Sequence, residues 1–546
     1  MGQLGPAAQA AQGGSPGAPF TQQKFNGVVG PLTQSADGTV GLSTFKNPPS
    51  PVCTLATSSA ANVNTDCEAV APHNETSIAV NPANSANLIA GANDYQLRLS
   101  SGGRINESIF TRAHVSSDGG KTWAMYPIPF DGYNATGDPA AAFDASGNAY
   151  MSTLGFRFSQ GKSVPFENPD VLVAHSTDAG KTWNTVRVAS GTGVITGPGI
   201  SNDKEYITAW GNGNVIVTWT NFQDGKGGAT IRAPIFDAVS HDGGNTWTAP
   251  QEISGSAPFC LGALASAPTA CDQDQFSTPV VAADGSIYAS FESTYNLDAS
   301  NLAFGADQYL VVKVDPTTGA RVAGPFLVSH LVDGVYDYPV DAAGRQTYQD
   351  SQFRSNSAGA ITADPTNASH LAVVWSDMRN STLPSSPAAY NPDPYAVKTN
   401  SDIVVSQSFN GGQTWSTPVA LAAPGDQFQP WATYDSSGAL HIGYFDRSYD
   451  PANHKYGYTL ASETSPGSLS FSTTQLTTTL SDPTQGDRWF SGLTVNSSFP
   501  NPTAFLGDYS GIAAGPGRVV GYWTDLRNTA CFTTRCGAGE DAFFAG

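Results

Sequence analysis

One eight-residue string occurs four times in this chain. It reads SSDGGKTW at Ser116–Trp123, STDAGKTW at Ser176–Trp183, SHDGGNTW at Ser240–Trp247 and SFNGGQTW at Ser408–Trp415. Its third residues (Asp118, Asp178, Asp242 and Asn410) are spaced by 60, 64 and 168 positions. The last spacing is three times 56, which leaves room for two degenerate copies; Val314–Gly319 is a candidate. A further degenerate copy follows at Ser462–Phe471. Self-similarity at such a period marks a solenoid, a propeller or an array. The local chemistry is that of a tight turn. A short Asx side chain accepts bonds from backbone N–H groups just ahead, and Gly supplies positive φ. The Trp then returns to the sheet and packs. The Asp residues of the octamer are therefore read as structural.

A second element repeats in step with the first: a strand, a turn with Asp and Gly, and another strand. Examples are Ala140–Ser152, Val280–Phe291 and Trp431–Phe445. First strands begin near residues 75, 138, 203, 274, 358, 428 and 508. Each unit holds β-rich runs and no helical period. Repeats of four strands are propeller blades. The expectation is an all-β, seven-bladed β-propeller over residues 27–546, with residues 1–26 a flexible tail rich in Gly, Ala, Gln, Ser and Pro. The last blade lacks a strand, because only one apolar run, Asp541–Ala545, follows Val519–Asp525. An N-terminal strand within residues 27–45 is expected to close the ring.

Composition excludes other classes. The net charge of −20 leaves no basic footprint for nucleic acid. No run of about 20 apolar residues offers a membrane span. Six Cys fall in local pairs: Cys53 with Cys67, Cys260 with Cys271, and Cys531 with Cys536. None forms a CxxC, so three disulfides and an oxidising compartment are expected. That places the protein outside the cell or at its surface, its leader removed. No GxSxG, HExxH or phosphate-binding loop occurs.

The octamers resemble the Asp-box, or BNR repeat, of sialidase-like propellers. Glu75–Pro82 (ETSIAVNP) and Phe505–Gly511 (FLGDYSG) are similar to segments of a group of bacterial secreted proteins labelled sialidase-like. The resemblance implies a propeller that handles glycans. Sialidases carry an Arg-Ile-Pro motif, three Arg that grip a carboxylate, an Asp acid/base, and a Tyr nucleophile assisted by Glu. The nearest string here is Arg104-Ile105-Asn106, which lacks the Pro.

Propeller ligands usually enter where first strands begin and second strands end. The first-strand starts carry His73-Asn74-Glu75, Asp138, Asp203-Lys204-Glu205, Asp272, Asp274, Asp350, Asp426 and Asp508-Tyr509. Three second strands end in an aromatic followed by Asp377 and Arg379, Asp446 and Arg447, or Asp525 and Arg527. Asp138, Glu75 and Asp508 are therefore candidate catalytic carboxylates, with Tyr509 a candidate nucleophile. Arg379, Arg447 and Arg527, with Asp377, Asp446, Asp525 and Asp426, are candidate substrate-binding residues. In the competing structural reading, each Asp pins its own Arg. The acidic starts also offer oxygen ligands for a structural Ca²⁺; no cofactor is required. The function expected is hydrolysis of a glycosidic bond in an acidic or neutral saccharide or glycoconjugate. The alternatives are a non-catalytic carbohydrate- or protein-binding propeller at the cell surface, and a polysaccharide lyase.

Overall fold

A computed structural model describes residues 61–66 and 72–546, apart from 100–104, 131, 134, 158–166, 195–196, 227–229, 264–265, 297–304, 335–336, 340–345, 352, 382–397, 485–504 and 533–534. It also gives the backbone of three short strands at 32–34, 40–42 and 52–53. The chain is a seven-bladed β-propeller. The inner strands are His73–Val80, Ala135–Phe143, Gly199–Trp210, Asp274–Val281, Ala360–Ala363, Gln427–Tyr434 and Gly511–Gly515. Each begins within a few residues of the position expected from the repeat. No helix in the described residues is long and apolar enough to cross a membrane.

The octamers fold as turns between third and fourth strands, and their hydrogen bonds explain the conserved spacing of Ser, Asp, Gly, Thr and Trp within the chain. In the first copy the Ser116 hydroxyl donates to Asp118 Oδ1 (2.9 Å) and accepts from Gly120 N (2.8 Å). Asp118 also accepts from Thr122 N (2.9 Å) and Thr122 Oγ1 (2.6 Å), and Trp123 Nε1 donates to Gly120 O (3.0 Å). Gly120 has φ +90°, and a Cβ there would lie 2.2 Å from Phe544 of the last blade. Only Gly lets the turn seat against its neighbour. The degenerate copies keep the scheme with other residues. Asp315 caps Thr317 N and Thr318 N, and Glu463 takes the Asp role at Gly467 N and Leu469 N.

Two expectations need correction. The gap between Asp242 and Asn410 holds one degenerate turn, not two, because a single blade (Asp274–His330) lies there, followed by a long connection. The closing strand is Val63–Asn64, not a segment of residues 27–45. Leu32–Gln34 and Val40–Leu42 pair with each other instead. Val63 and Asn64 add to the last strand, Arg535–Ala545, so the seventh blade has the order inner, second, third, N-terminal.

Apolar side chains bury between adjacent sheets rather than inside one. Ile89 and Val115 of blade 1 meet Phe143 and Met151 of blade 2. Val520 and Phe544 of blade 7 meet Val80 and Leu88 of blade 1, which closes the ring. The Cys260–Cys271 disulfide is present. Backbone register pairs Cys531 with Cys536; the side chains of these two and of Cys53 and Cys67 lie outside the described residues, as does the expected tail at 1–26.

Candidate functional site

The inner strands share an irregularity. Pairing with the second strand jumps from Asn74 to Ser77, from Gly137 to Ala140, from Asp203 to Tyr206, from Gln275 to Thr278, and from Phe428 to Trp431. Each jump is a β-bulge in which two inner-strand residues oppose one residue of the second strand. The first of them is left-handed in every case: Glu75 (φ 55°), Asp138 (60°), Lys204 (53°), Phe276 (55°) and Gln429 (49°). None is Gly, so each costs roughly 1–2 kcal/mol of backbone strain. Bulges re-aim side chains, and these recur at equivalent points of five inner strands. Strain repeated at one level of the ring marks a site.

Lys204 is the hub. Its Nζ lies 3.1 Å from Glu75 Oε1, 3.1 Å from Asp138 Oδ2 and 2.6 Å from Asp508 Oδ2. Arg354 holds Asp508 from the other side, through Nε to Oδ1 (2.8 Å) and through Nη2 to Oδ2. Asn93 joins two of the bulges: it donates to Glu75 Oε2 (2.7 Å) and accepts from Asp138 N (2.7 Å). Lys204 and Arg354 are each only 5% exposed, and the three carboxylates less, so these pairs are screened by protein rather than water.

Beside the hub lies an aromatic layer. Tyr206 and Trp431, from blades 3 and 6, approach to 4.5 Å between ring centroids, and Tyr509 lies 6.3 Å from each. A small cavity opens here, with Tyr206, Phe276, Trp431 and Tyr509 on its apolar wall and Lys204, Glu205 and Asp508 at its polar end. Glu205 is 2% exposed, and neither carboxyl oxygen has a hydrogen-bond partner.

The environment separates the acids. Burial, then the charge of Asp138, pushes Glu205 well above the usual carboxylate range. Burial and Asp138 push Glu75 up as well. Asp203 rises to about 7 by burial, against the pull of Lys204. Burial works against the charged form of Asp508, but Arg354 and Lys204 outweigh it and hold the group down at about 2. The two acids of the cavity are thus driven in opposite directions, Glu205 up and Asp508 down. Tyr509 is pushed well above its ordinary value by burial, then by Glu75, Asp138 and Glu205. Its hydroxyl donates to Pro139 O (3.1 Å).

The four residues read from sequence as catalytic, Glu75, Asp138, Asp508 and Tyr509, come together at one level of the channel. The arginines do not. Arg379 binds Asp377 through Nε (2.8 Å) and Nη2 (2.7 Å). Arg527 binds Asp525 in the same way (2.9 and 2.6 Å). In both blades a Trp indole N–H, from Trp375 or Trp523, also donates to that Asp (2.9 Å). Arg447 follows its Asp by one residue rather than two. It turns into an aromatic nest of Tyr348, Phe353 and Phe428 and pairs with Asp426 (3.3 Å), while Asp446 accepts from Thr459 Oγ1 (2.8 Å). Each guanidinium is thus engaged by protein acceptors, Arg379 and Arg527 by the Asp two residues before them and Arg447 by the distant Asp426 and Ser351. Some of the acidic starts find protein partners, whereas the buried Asp203, Glu205 and Asp274 carboxyl oxygens have no hydrogen-bond partner. Lys204 fills the space among Glu75, Asp138 and Asp508, and Arg232 pairs with Asp272 (3.1 Å).

Sequence reasoning missed Lys204 as the hub, Arg354 as its counterpart and Glu205 as the unpaired acid on the cavity wall. Lys204 was visible as the one Lys among the first-strand starts. Arg354, in the connection before blade 5, carried no signal.

No protein-family model matches the chain, and no curated protein sequence matches it significantly. Solved structures with a similar chain path include a protein of unknown function from Dyadobacter fermentans, at 12% identity over 88% of this chain and 96% of that one, TM-score 0.41. A second is the NanB sialidase of Streptococcus pneumoniae, at 9% identity over 87% and 94%, TM-score 0.42. A third is a GH93 α-L-arabinofuranosidase of Fusarium graminearum, at 13% identity over 68% and 88%, TM-score 0.38. None of these similarities assigns an activity to this chain.

Proposed function

We propose that this propeller hydrolyses a glycosidic bond in a neutral saccharide bound in the Trp431–Tyr206 cavity, with Glu205 as the general acid. The observation that carries the reading is the buried, unpartnered Glu205 carboxyl, pushed up by burial, on the wall of a cavity whose other acid, Asp508, is held down by Arg354 and Lys204. Two carboxyl groups pushed apart in pKa are what acid and base roles require. Glu205 would protonate the leaving oxygen. The Asp508 carboxylate, positioned by Arg354 and Lys204, would stabilise the developing positive charge or take a proton from water. The Trp431 and Tyr206 rings offer faces on which a sugar ring packs. A neutral sugar is favoured over an acidic one because Lys204, the cation at the polar end, is already answered by three carboxylates.

The test is release of reducing sugar from a panel of neutral oligosaccharides. The Glu205→Gln variant keeps the shape and the uncharged state, so it should fold normally and lose roughly 10²–10⁴-fold in turnover. Unchanged turnover in this variant would remove Glu205 from the mechanism. A binding-only propeller is the second reading, favoured by the burial that works against ionisation of Tyr509. It would show saccharide binding that needs Trp431, with no product from any member of the panel.

A further inference from the structure

The interface between blades 3 and 4 holds an acid that the octamer pattern does not call for. Asp237 lies in the strand Ile235–Ser240, three residues before the first Ser of the third octamer. The residues three before that Ser in the other intact copies are Ala113, Val173 and Val405. Each is 0% exposed and packs in an apolar core between neighbouring blades. Asp237 is 0% exposed as well. Along a strand, residues two apart share a face. On that face Asp237 is flanked by Ile235 and Val239, which belong to the core that blade 3 makes with Ile287, Leu310 and Val312 of blade 4. A carboxyl therefore stands where the fold elsewhere places Ala or Val.

The surroundings leave this carboxyl unanswered. Gly319, in the degenerate turn of blade 4, packs against it, and a Cβ there would lie 2.7 Å from Asp237 Oδ1. Neither carboxyl oxygen has a hydrogen-bond partner. The charged groups of the packed elements are committed elsewhere. Asp315 caps its own turn, Arg321 donates to Gly324 O (2.6 Å), and Lys313 lies over the Tyr288 ring. Glu252 pairs with Arg232, and Asp224 accepts from Thr230 Oγ1 (2.7 Å). His241 lies between Asn214 Oδ1 and Thr317 O (2.8 and 3.1 Å). Burying an ionised carboxylate without a partner costs far more than burying a neutral carboxyl. Burial accordingly pushes Asp237 well above its ordinary value.

We propose that Asp237 is a proton-operated latch: blades 3 and 4 close on each other with this carboxyl protonated, and its ionisation loosens their contact. Blade 3 carries Glu205 and Tyr206 and blade 4 carries Phe276, so the latch joins two walls of the cavity. Above the ordinary carboxylate range the folded chain keeps a proton that the unfolded chain has released. The stability that depends on this proton is complete in acid, below that range, and is lost as pH rises toward the folded-state value.

Urea denaturation of the full chain is followed from pH 4 to pH 8 for the parent, Asp237→Asn and Asp237→Val. Both variants remove the titration and leave the other acids in place, so the difference between pH profiles reports Asp237 alone. The unfolding equilibrium constant of the parent, relative to either variant, is expected to rise about tenfold per pH unit above the ordinary carboxylate range, and to level off once the folded carboxyl ionises. Asp237→Val serves alone if Asp237→Asn does not fold. A parent profile parallel to those of the variants would overturn the latch. Its location is tested with Gly319→Ala, which should lower the urea midpoint less in an Asp237→Ala background than in the parent. Equal losses in the two backgrounds would show that carboxyl and turn do not meet, and would overturn the assignment as well.

Discussion

Asp178 and Asp508 are both carboxylates in turns, and they are built in opposite ways. Asp178 sits in an octamer and takes its partners from within four residues: Ser176 Oγ (2.8 Å), Lys181 N (3.1 Å), Thr182 N (2.8 Å) and Thr182 Oγ1 (2.7 Å). Slight burial works against its charge, but Thr182 and Ser176 outweigh that and hold the group below its ordinary range. Asp508 is 1% exposed and takes its partners from Arg354, Lys204 and Glu75, the last 433 residues away. The first carboxylate needs only its own octamer. The second needs blades 1 and 3 and the connection before blade 5 all in place. The octamer therefore builds the ring, and the ring builds the hub.

The largest test of that order is at the seam. Thr65 N donates to Ala542 O (3.0 Å), Thr65 Oγ1 meets Tyr522 Oη (2.8 Å), and Val63 is buried in the core shared by blades 7 and 1. Removing residues 1–68 takes away the fourth strand of blade 7 and is expected to destabilise the ring by more than about 4 kcal/mol. Cutting at Ser50 keeps Val63–Asn64 and should leave most of that stability. Urea denaturation of both truncations decides it. Equal stability of the two would mean that this strand does not close the ring.

The next effect is at the hub. Lys204→Met removes the ammonium that faces Glu75, Asp138 and Asp508 and leaves carboxylates buried without it. Breaking a buried ion pair from one side costs roughly 3–5 kcal/mol. The sign of its pH dependence separates this from a packing defect. Without the cation the folded-state pKa of Glu75, already raised by burial and Asp138, rises further, and the hold on Asp508 weakens. The folded variant then binds more protons than the unfolded chain, and its stability falls as pH rises through those values. Relative to the parent, Lys204→Met should recover as pH drops from 7 toward 5, followed by urea midpoints. A deficit independent of pH would refute the electrostatic account of the hub.

These contrasts also explain what could be read in advance. The blade count and inner-strand starts were legible because hairpin turns and octamers are contiguous signals that repeat. The meeting of Glu75, Asp138, Asp508 and Tyr509 was legible for the same reason, since equivalent positions of a ring face one axis. The Asp–Arg pairs were also legible as a repeat, but a repeat satisfied within two residues has little left for a ligand, as Arg379 and Arg527 show. What stayed hidden depends on the bulges. Left-handed backbone at Lys204 sends a cation inward among acids, and nothing in Asp203-Lys204-Glu205 announces that turn. The closing strand was hidden because two residues, Val63 and Asn64, make no periodic pattern.

The smallest effects lie within the octamer, where local chemistry should be separable to fractions of a kcal/mol. The chain already contains its own controls. Asn410 stands in the Asp position of the fourth copy and still accepts from Thr414 N (3.0 Å) through Oδ1. Asp178→Asn should therefore change stability by less than about 0.5 kcal/mol, while Asp178→Ala, which removes all four bonds at an exposed site, should lose about 1 kcal/mol. The next residue offers a gain. Ala179 has φ +66°, whereas the other copies place Gly119, Gly243 and Gly411 there, at φ +79°, +78° and +69°. A left-handed residue with a Cβ costs roughly 1–2 kcal/mol. Gly offsets part of this through its greater freedom in the unfolded chain, roughly 0.5–1 kcal/mol. Ala179→Gly is thus expected to stabilise by about 0.5 kcal/mol, read as a higher urea midpoint at unchanged slope. A lower midpoint would show that unfolded-state entropy, not turn strain, governs residue choice in this octamer.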